Sequence, residues 1–233
     1  MPAPDINVTA APVVIVGGGF GGLYTALALA GRKGHPPILL IEPQSQFLFL
    51  PLLFELLSQE VRRWEIAPRY DTLLAGKGVA WLQDRVSSID CQTRTVLTEA
   101  GQTLSYSRLV LATGARTNSF GIPGVEAHTL GFRSLQDVER LQRLISELKL
   151  RRRPLQRLAV VGAGATGVEL ACKLADCLEG AAVVELVEQG STLLPNAKAF
   201  NREQAQRALQ RKDVRLRCRS QVKAVSAGQL ELQ

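Results

Sequence analysis

One glycine signature occurs twice in this chain, and no other feature constrains its fold as much. The first copy reads Val16-Gly17-Gly18-Gly19-Phe20-Gly21-Gly22, the second Val161-Gly162-Ala163-Gly164-Ala165-Thr166-Gly167. Each follows an apolar run, Val13-Val14-Ile15-Val16 and Leu158-Ala159-Val160-Val161. Each opens a helical pattern, Leu23 to Ala30 and Val168 to Leu178. About twenty residues further on, a second apolar run ends in an acid. Ile38-Leu39-Leu40-Ile41 runs into Glu42, and Val183-Val184-Glu185-Leu186-Val187 into Glu188. Strand, glycine loop, helix, strand and acid, twice over, predict an α/β protein with two Rossmann-like dinucleotide-binding units. Glycine turns in an ordinary α/β sheet remain an alternative for either unit alone, and the repetition weakens it.

The first glycine of such a loop lets the chain turn tightly out of its strand. The second brings bare backbone up to a pyrophosphate, and the third allows close helix–strand packing. The helix start offers unpaired N–H groups and the positive end of its dipole to the phosphates. Glu42 and Glu188 are placed to accept hydrogen bonds from ribose hydroxyls and to repel a 2′-phosphate.

Composition excludes more than it selects. The chain has 233 residues, 46% hydrophobic and 21% charged, ordinary for a globular protein with one large or two small cores. Net charge is +7, but the basic residues are scattered apart from Arg151-Arg152-Arg153 and the stretch Arg211 to Arg219. No aromatic residues interleave them, which argues against nucleic acid; a solvated linker and a solvated strand edge are expected instead, with a weak contribution to an anionic membrane surface as the alternative. Cys91, Cys172, Cys177 and Cys218 form no C-x-x-C pair, so no metal site is expected, and the thiols read as small core residues in a reducing compartment. Residues 1–12 lack a signal-peptide pattern; Pro2, Pro4 and Pro12 suggest a loose lead-in. No apolar run reaches membrane-span length. Phe47 to Phe54 reads as a buried loop and helix start.

Between the signatures the pattern changes period. Leu52 to Gln59 suggests a short helix, Ile66 to Leu74 another started after Pro68, and Val79-Ala80-Trp81-Leu82 a strand. Val86 to Asp90, Arg94 to Leu97 and Thr103-Leu104 read as a hairpin or meander turning at Gly101. Arg108 to Ala115 reads as a buried parallel strand ending in a small-residue turn. Asn118 to Phe132 reads as a linker. Ser134 with Asp137 forms a capping box for a helix to Leu148, ended by Arg151 to Pro154. After Glu188, Phe200 to Arg211 is helical, and Val214 to Leu216, Val222 to Val225 and Leu230 to Leu232 are strands. The expected domains are 1–122 and 158–233, joined by a linker and helix over 123–157. The chain stops at Gln233 inside the last hairpin, and a C-terminally truncated protein is expected.

This order of pieces resembles the two-dinucleotide flavoprotein oxidoreductases, in which the first unit binds FAD and the second NAD(P)H. Within them the chain is most similar to the type II NADH dehydrogenases, the single-subunit NADH:quinone oxidoreductases. The resemblance is carried by Phe49-Leu50-Pro51-Leu52-Leu53, Leu109 to Ala115, Gly121-Ile122-Pro123-Gly124-Val125 and Val160 to Ala171. It implies that Gly17, Gly19, Phe20, Gly21 and Gly22 cradle the FAD pyrophosphate and that Glu42 holds its ribose. It implies that Leu50, Pro51 and Leu52 pack near the flavin, that Val86 meets the adenine, and that Ala112, Thr113 and Gly114 approach the FAD. Gly162, Gly164, Ala165, Thr166 and Gly167 then bind the NADH pyrophosphate, and Glu188 selects NADH over NADPH. Glu169 acts near the nicotinamide; a first-turn acid favoured by the helix dipole is the alternative reading.

The implied chemistry is hydride transfer from NADH to flavin and electron delivery to a quinone, with no catalytic dyad required. The implied location is the cytoplasmic face of the inner membrane, bound peripherally, with homo-oligomerisation left open. A disulfide reductase or sulfide:quinone oxidoreductase needs flavin-proximal cysteines, and none follows the first signature. A ferredoxin- or rubredoxin-type reductase, and a non-catalytic nucleotide-binding sensor, stay open.

Overall fold

The computed structural model describes residues 11–151 and 156–233. Pro2, Pro4, Arg152, Arg153 and Pro154, on which some of the expectations above fall, lie outside the described residues. In chain order the elements are β1 (Val13–Val16), α1 (Phe20–Ala30), β2 (Ile38–Ile41), a 3₁₀ turn (Leu50–Leu52), α2 (Leu53–Leu57), α3 (Arg63–Ile66), α4 (Tyr70–Leu73) and β3 (Val79–Leu82). Then follow β4 (Val86–Asp90), β5 (Thr95–Thr98), β6 (Thr103–Ser105), β7 (Arg108–Leu111), α5 (Val125–His128) and α6 (Leu135–Arg151). The second signature lies in β8 (Arg157–Val161) and α7 (Ala165–Leu178). It is followed by β9 (Val183–Val187), α8 (Ala199–Arg211), β10 (Arg215–Arg217), β11 (Val222–Ser226) and β12 (Gln229–Leu232). The chain divides into two compact units, residues up to Phe49 with Arg63–Arg116, and Leu50–Arg62 with Thr117–Gln233. The second unit therefore takes in residues 50–62, which lie inside the first span of the sequence division.

In the first unit β3, β2, β1 and β7 form a parallel sheet in that order. Both faces of its centre are covered, which is why β1 and β2 are apolar without alternation. On one face Val13, Ile15, Ile38 and Leu40 pack with Leu23 and Ala26 of α1, Phe47, Tyr70 and Leu74. On the other, Val14, Val16, Leu39 and Ile41 pack with Val96 and Tyr106 of the antiparallel meander β4-β5-β6.

In the second unit β10, β9 and β8 form a parallel sheet, and β11 pairs antiparallel with β12. Helix α7 buries Val168, Ala171, Leu174 and Leu178 at helical spacing and packs on β8 and β9. The capping box is formed: Asp137 N–H donates to Ser134 Oγ (3.1 Å) and Ser134 N–H to Asp137 Oδ2 (3.0 Å).

Several local expectations are corrected. Both signature helices begin earlier than their apolar pattern, at Phe20 and Ala165, because the glycine loop itself supplies the first turn. The helix expected after Pro68 is present as Tyr70–Leu73, and Ile66 instead closes the preceding turn Arg63–Ile66, since Pro68 lacks an N–H and restricts Ala67. β7 is parallel to β1 but lies at the sheet edge and is not buried; Leu111 is 61% exposed. In the Phe47 to Phe54 patch, Phe47 and Leu53 are buried while Leu50 and Pro51 are exposed. Val125–His128 adds a helical turn where a linker is expected. Cys91 is exposed, and the other three thiols are only partly buried.

Candidate functional site

The two loops repeat one another in detail. Gly17 and Gly162 leave their strands at φ +99° and +98°, a conformation that side chains rarely adopt. A Cβ on Gly22 would run into the carbonyl oxygen of Gly17, and one on Gly167 into that of Gly162. Gly19 and Gly164 are the N-caps of α1 and α7, neither helix has a side-chain cap, and a Cβ on either glycine would meet nothing within 4 Å. The middle glycine thus fronts open space at a helix N-terminus, while the outer two lock the turn. A pyrophosphate fits such a cradle: the bare backbone permits approach and the first-turn N–H groups face it.

Each second-strand acid closes its own loop. Glu42 Oε2 accepts from Gly18 N–H (2.7 Å) and Oε1 from Gln44 N–H (2.8 Å). Glu188 Oε2 accepts from Ala163 N–H (2.8 Å) and Oε1 from Gly190 N–H (2.7 Å). A carboxylate has about four lone-pair sites, so each retains capacity for ribose hydroxyls. Their first task, which the motif alone does not reveal, is to hold the loop.

The remaining predicted residues fall as follows. Ala112 and Thr113 back the first loop, where a Cβ on Gly17 would strike the Ala112 carbonyl, and Gly114 turns at φ +73°. Phe20 packs against Phe47 and Phe49 at ring-centroid distances of 5.2 Å. Gly21 lies in the first turn of α1. Val86 opens β4, opposite Thr98. Leu50, Pro51 and Leu52 form the 3₁₀ turn of the second unit. Ala165 and Thr166 are exposed at the start of α7. Glu169 is the fifth residue of α7, in its second turn rather than its first. It lines a cavity of about 500 Å³ with Pro51, Phe54, Glu55, Cys172, Lys173 and Asp176. Nearby, Lys173 Nζ pairs with Glu60 (2.8 Å), and this bond holds the Glu60 carboxyl below its ordinary range.

Several supporting groups escape sequence reasoning. Tyr70, buried, donates its hydroxyl to the Gly18 carbonyl (2.7 Å); burial, then the nearby Glu42 carboxylate, pushes its phenol well above the ordinary tyrosine value. Trp81 Nε1 donates to the Glu42 carbonyl (3.3 Å). In the second unit Leu194 N–H donates to the Ala163 carbonyl (2.9 Å). No spacing rule links Tyr70 to Gly18, 52 residues away. The basic stretch is also not simply a solvated edge. Glu185, in mid-strand with its side chain 9% exposed, is faced by Arg217 Nε at 3.3 Å, Arg157 at 3.7 Å and Arg215 at 4.0 Å.

Comparison with known proteins agrees with this architecture. The chain is 38% identical over 229 residues to demethylphylloquinone reductase NdbB of Synechocystis sp., covering 95% of this chain and 57% of that protein. It is 33% identical over 195 residues to the type II NADH:quinone oxidoreductase Ndh of Mycobacterium tuberculosis, covering 76% and 42%. The structure of NDH2 from Plasmodium falciparum in complex with NADH superposes with a TM-score of 0.84 at 22% identity, over 96% of this chain and 51% of that one. The chain spans about half the length of the curated relatives it matches. The resemblance to type II NADH dehydrogenases thus extends across most of the sequence, and the fold is the FAD/NAD(P)-binding, Rossmann-like one. Residues 11–233, both loops included, match the family model for pyridine nucleotide-disulphide oxidoreductases, and the chain belongs to that family.

Proposed function

We propose that this chain holds FAD in its first unit and NADH in its second, and serves an NADH:quinone oxidoreductase of the type II kind. The observation that carries this reading is the duplicated loop, with open Gly19 and Gly164, locked outer glycines, and Glu42 and Glu188 each bound to its loop. When bound, FAD supplies the acceptor for the hydride of NADH and the route of its two electrons to a quinone. The protein's share is orientation.

In this reading Gly17, Gly19, Phe20, Gly21 and Gly22 cradle the FAD pyrophosphate, backed by Ala112, Thr113 and Gly114. Glu42 holds the ribose and Val86 flanks the adenine. Leu50, Pro51 and Leu52 supply apolar surface toward the flavin. Gly162, Gly164, Ala165, Thr166 and Gly167 take the NADH pyrophosphate, and Glu188 its adenosine ribose. Glu169 lines the second-unit cavity and acts toward the nicotinamide. A cysteine-based reductase finds no support: Cys91, the first unit's cysteine among the described residues, is exposed, and burial raises Cys172 and Cys177 above the ordinary thiol value. Among the described residues no helix is long and apolar enough to cross a membrane. A peripheral place on the cytoplasmic membrane face accords with a quinone acceptor.

The test is spectroscopic. Chain supplied with FAD should bind it and NADH one to one, NADH should bleach the flavin absorbance, and quinone should restore it. Glu169→Gln keeps size and removes charge. It should slow bleaching or reoxidation about tenfold, about 1.4 kcal/mol of barrier, with the melting temperature unchanged. A chain that binds neither nucleotide would overturn the reading, and unchanged rates in both half-reactions would return Glu169 to a surface acid.

A further inference from the structure

The ends of β9 and β10 form one small platform. Glu188 N–H donates to the Arg217 carbonyl (2.8 Å), Ser220 N–H to the Glu188 carbonyl (3.0 Å), and Arg219 N–H to the Gly190 carbonyl (2.8 Å). Gly190 in turn donates to the Glu188 carboxylate. The backbone of Arg219 is therefore one hydrogen bond from Gly190 and two from the carboxylate that defines the adenosine end. In open α/β sheets this carboxyl edge of the strands is where the riboses of a dinucleotide lie.

Arg219, two residues past β10, differs from the two arginines within that strand. Arg215 and Arg217 face the buried Glu185, whereas Arg219 is exposed and forms no ion pair among the described residues. Its φ of +54° is left-handed, a conformation that turns its side chain out of the strand alternation. Cys218 beside it is half-buried; burial raises its thiol, the Glu188 carboxylate adds to the rise and the Arg219 guanidinium opposes it.

We infer that Arg219 is a specificity-determining residue of the second-unit nucleotide site, offering counter-charge to a 2′-phosphate and so moderating the preference for NADH that Glu188 imposes. This rests on the reading of the second unit as a nicotinamide-nucleotide site. A 2′-phosphate carries nearly two negative charges, and an exposed guanidinium within a side chain's reach changes its binding about fivefold to tenfold at low salt. NADH has no such group and should respond little. Chain chemistry thus points to a site that discriminates by balance, one carboxylate against one guanidinium, and not by exclusion.

The test is calorimetric titration of the chain with NADH and NADPH at low ionic strength, which reads binding without turnover. Arg219→Ala should weaken NADPH about fivefold or more and NADH less than about twofold, Arg219→Lys should keep most of the NADPH affinity, and 0.5 M salt should shrink the difference by screening. In a Glu188→Gln background NADPH should tighten about tenfold, and adding Arg219→Ala should remove most of that gain. Where NADPH binds the native chain too weakly to titrate, the Glu188→Gln pair carries the comparison. Equal loss of both nucleotides, or no change in their ratio in either background, overturns the inference and leaves the nucleotide site standing. Failure of the native chain to bind NADH overturns the site itself.

Discussion

Both units end their second strand in a glutamate that accepts the N–H of the second loop residue, Gly18 or Ala163. They part at the carbonyl of that same residue. In the first unit the Gly18 carbonyl is met by the Tyr70 hydroxyl, and a Cβ on Gly18 would strike that hydroxyl. In the second unit residue 163 has a methyl group, fully buried, and its carbonyl is met by the backbone N–H of Leu194. The loop geometry toward the ligand is common to both, and the device that supports it from behind is not. The backbone itself dictates the turn: Gly17 and Gly162 hold a positive φ, and Gly22 and Gly167 leave no room for a Cβ. The rear needs only a filled volume and a donor, and many residues supply those.

If the front is common, the largest effects should be equal in the two units. Gly22→Ala and Gly167→Ala each drive a methyl into a backbone oxygen, where no side chain can give way. Each should cost about 3 kcal/mol or more in urea unfolding and abolish nucleotide binding by its own unit. Gly19→Ala and Gly164→Ala enter open space at ordinary φ. They should leave stability within about 0.5 kcal/mol while still reducing nucleotide affinity, because the methyl occupies the approach to the backbone. A neutral result at Gly22 or Gly167 alone would break the equivalence of the loops.

The rear should then separate them. Tyr70→Phe strips the donor from the Gly18 carbonyl and should cost about 1–2 kcal/mol, with no counterpart in the second unit. It also has a pH signature. The folded state holds the Tyr70 phenol protonated above the ordinary tyrosine value, for burial first and Glu42 second, so the native chain binds more protons than the unfolded one in alkali. Stability must fall as pH rises above the unfolded tyrosine value of about 10, by up to about 1.4 kcal/mol per pH unit for this group. Urea midpoints of the native chain should decline along that limb, and those of Tyr70→Phe should decline less steeply. Parallel limbs would mean that Tyr70 is not a buried neutral donor.

The same division decides what the sequence discloses. The glycines, the strands before them and the acids after them are legible because each is forced by local geometry within about twenty residues. The Ser134–Asp137 box is legible for the same reason. Tyr70, Trp81 and Leu194 are not, since any residue that brings a donor to the right place would serve and chain distance does not set it. The edge position of β7 hid behind an apolar run that reads like a central strand, because hydropathy cannot tell which neighbours a strand has. Glu169 reads as a first-turn acid when the helix start is taken from the apolar pattern at Val168, whereas α7 begins after Gly164 and makes Glu169 its fifth residue.

The smallest effect concerns the second face of each sheet, where the units differ most. Counted back from the closing acid, Leu39 of β2 and Glu185 of β9 hold the same place, three residues before it. Leu39 lies under the apolar meander; Glu185 lies under Arg157, Arg215 and Arg217, with its Oε1 buried and lacking a hydrogen bond. A carboxylate taken out of water is tolerated only while cations face it, and here the nearest, Arg217, is itself 47% exposed. The arginines therefore offset a desolvation cost and add little net stability. Arg217→Ala should destabilise by about 1 kcal/mol, less than the loss of a partner in a fully buried pair because Arg157 and Arg215 remain and water reaches the gap. Glu185→Leu, which copies the first unit, should change stability by less than about 1 kcal/mol, since it removes the buried charge and leaves the arginines in solvent. The pair of results sets the sign: if Glu185→Leu costs more than Arg217→Ala, the carboxylate is a stabilising centre of its strand, and the arginines are there for more than its tolerance.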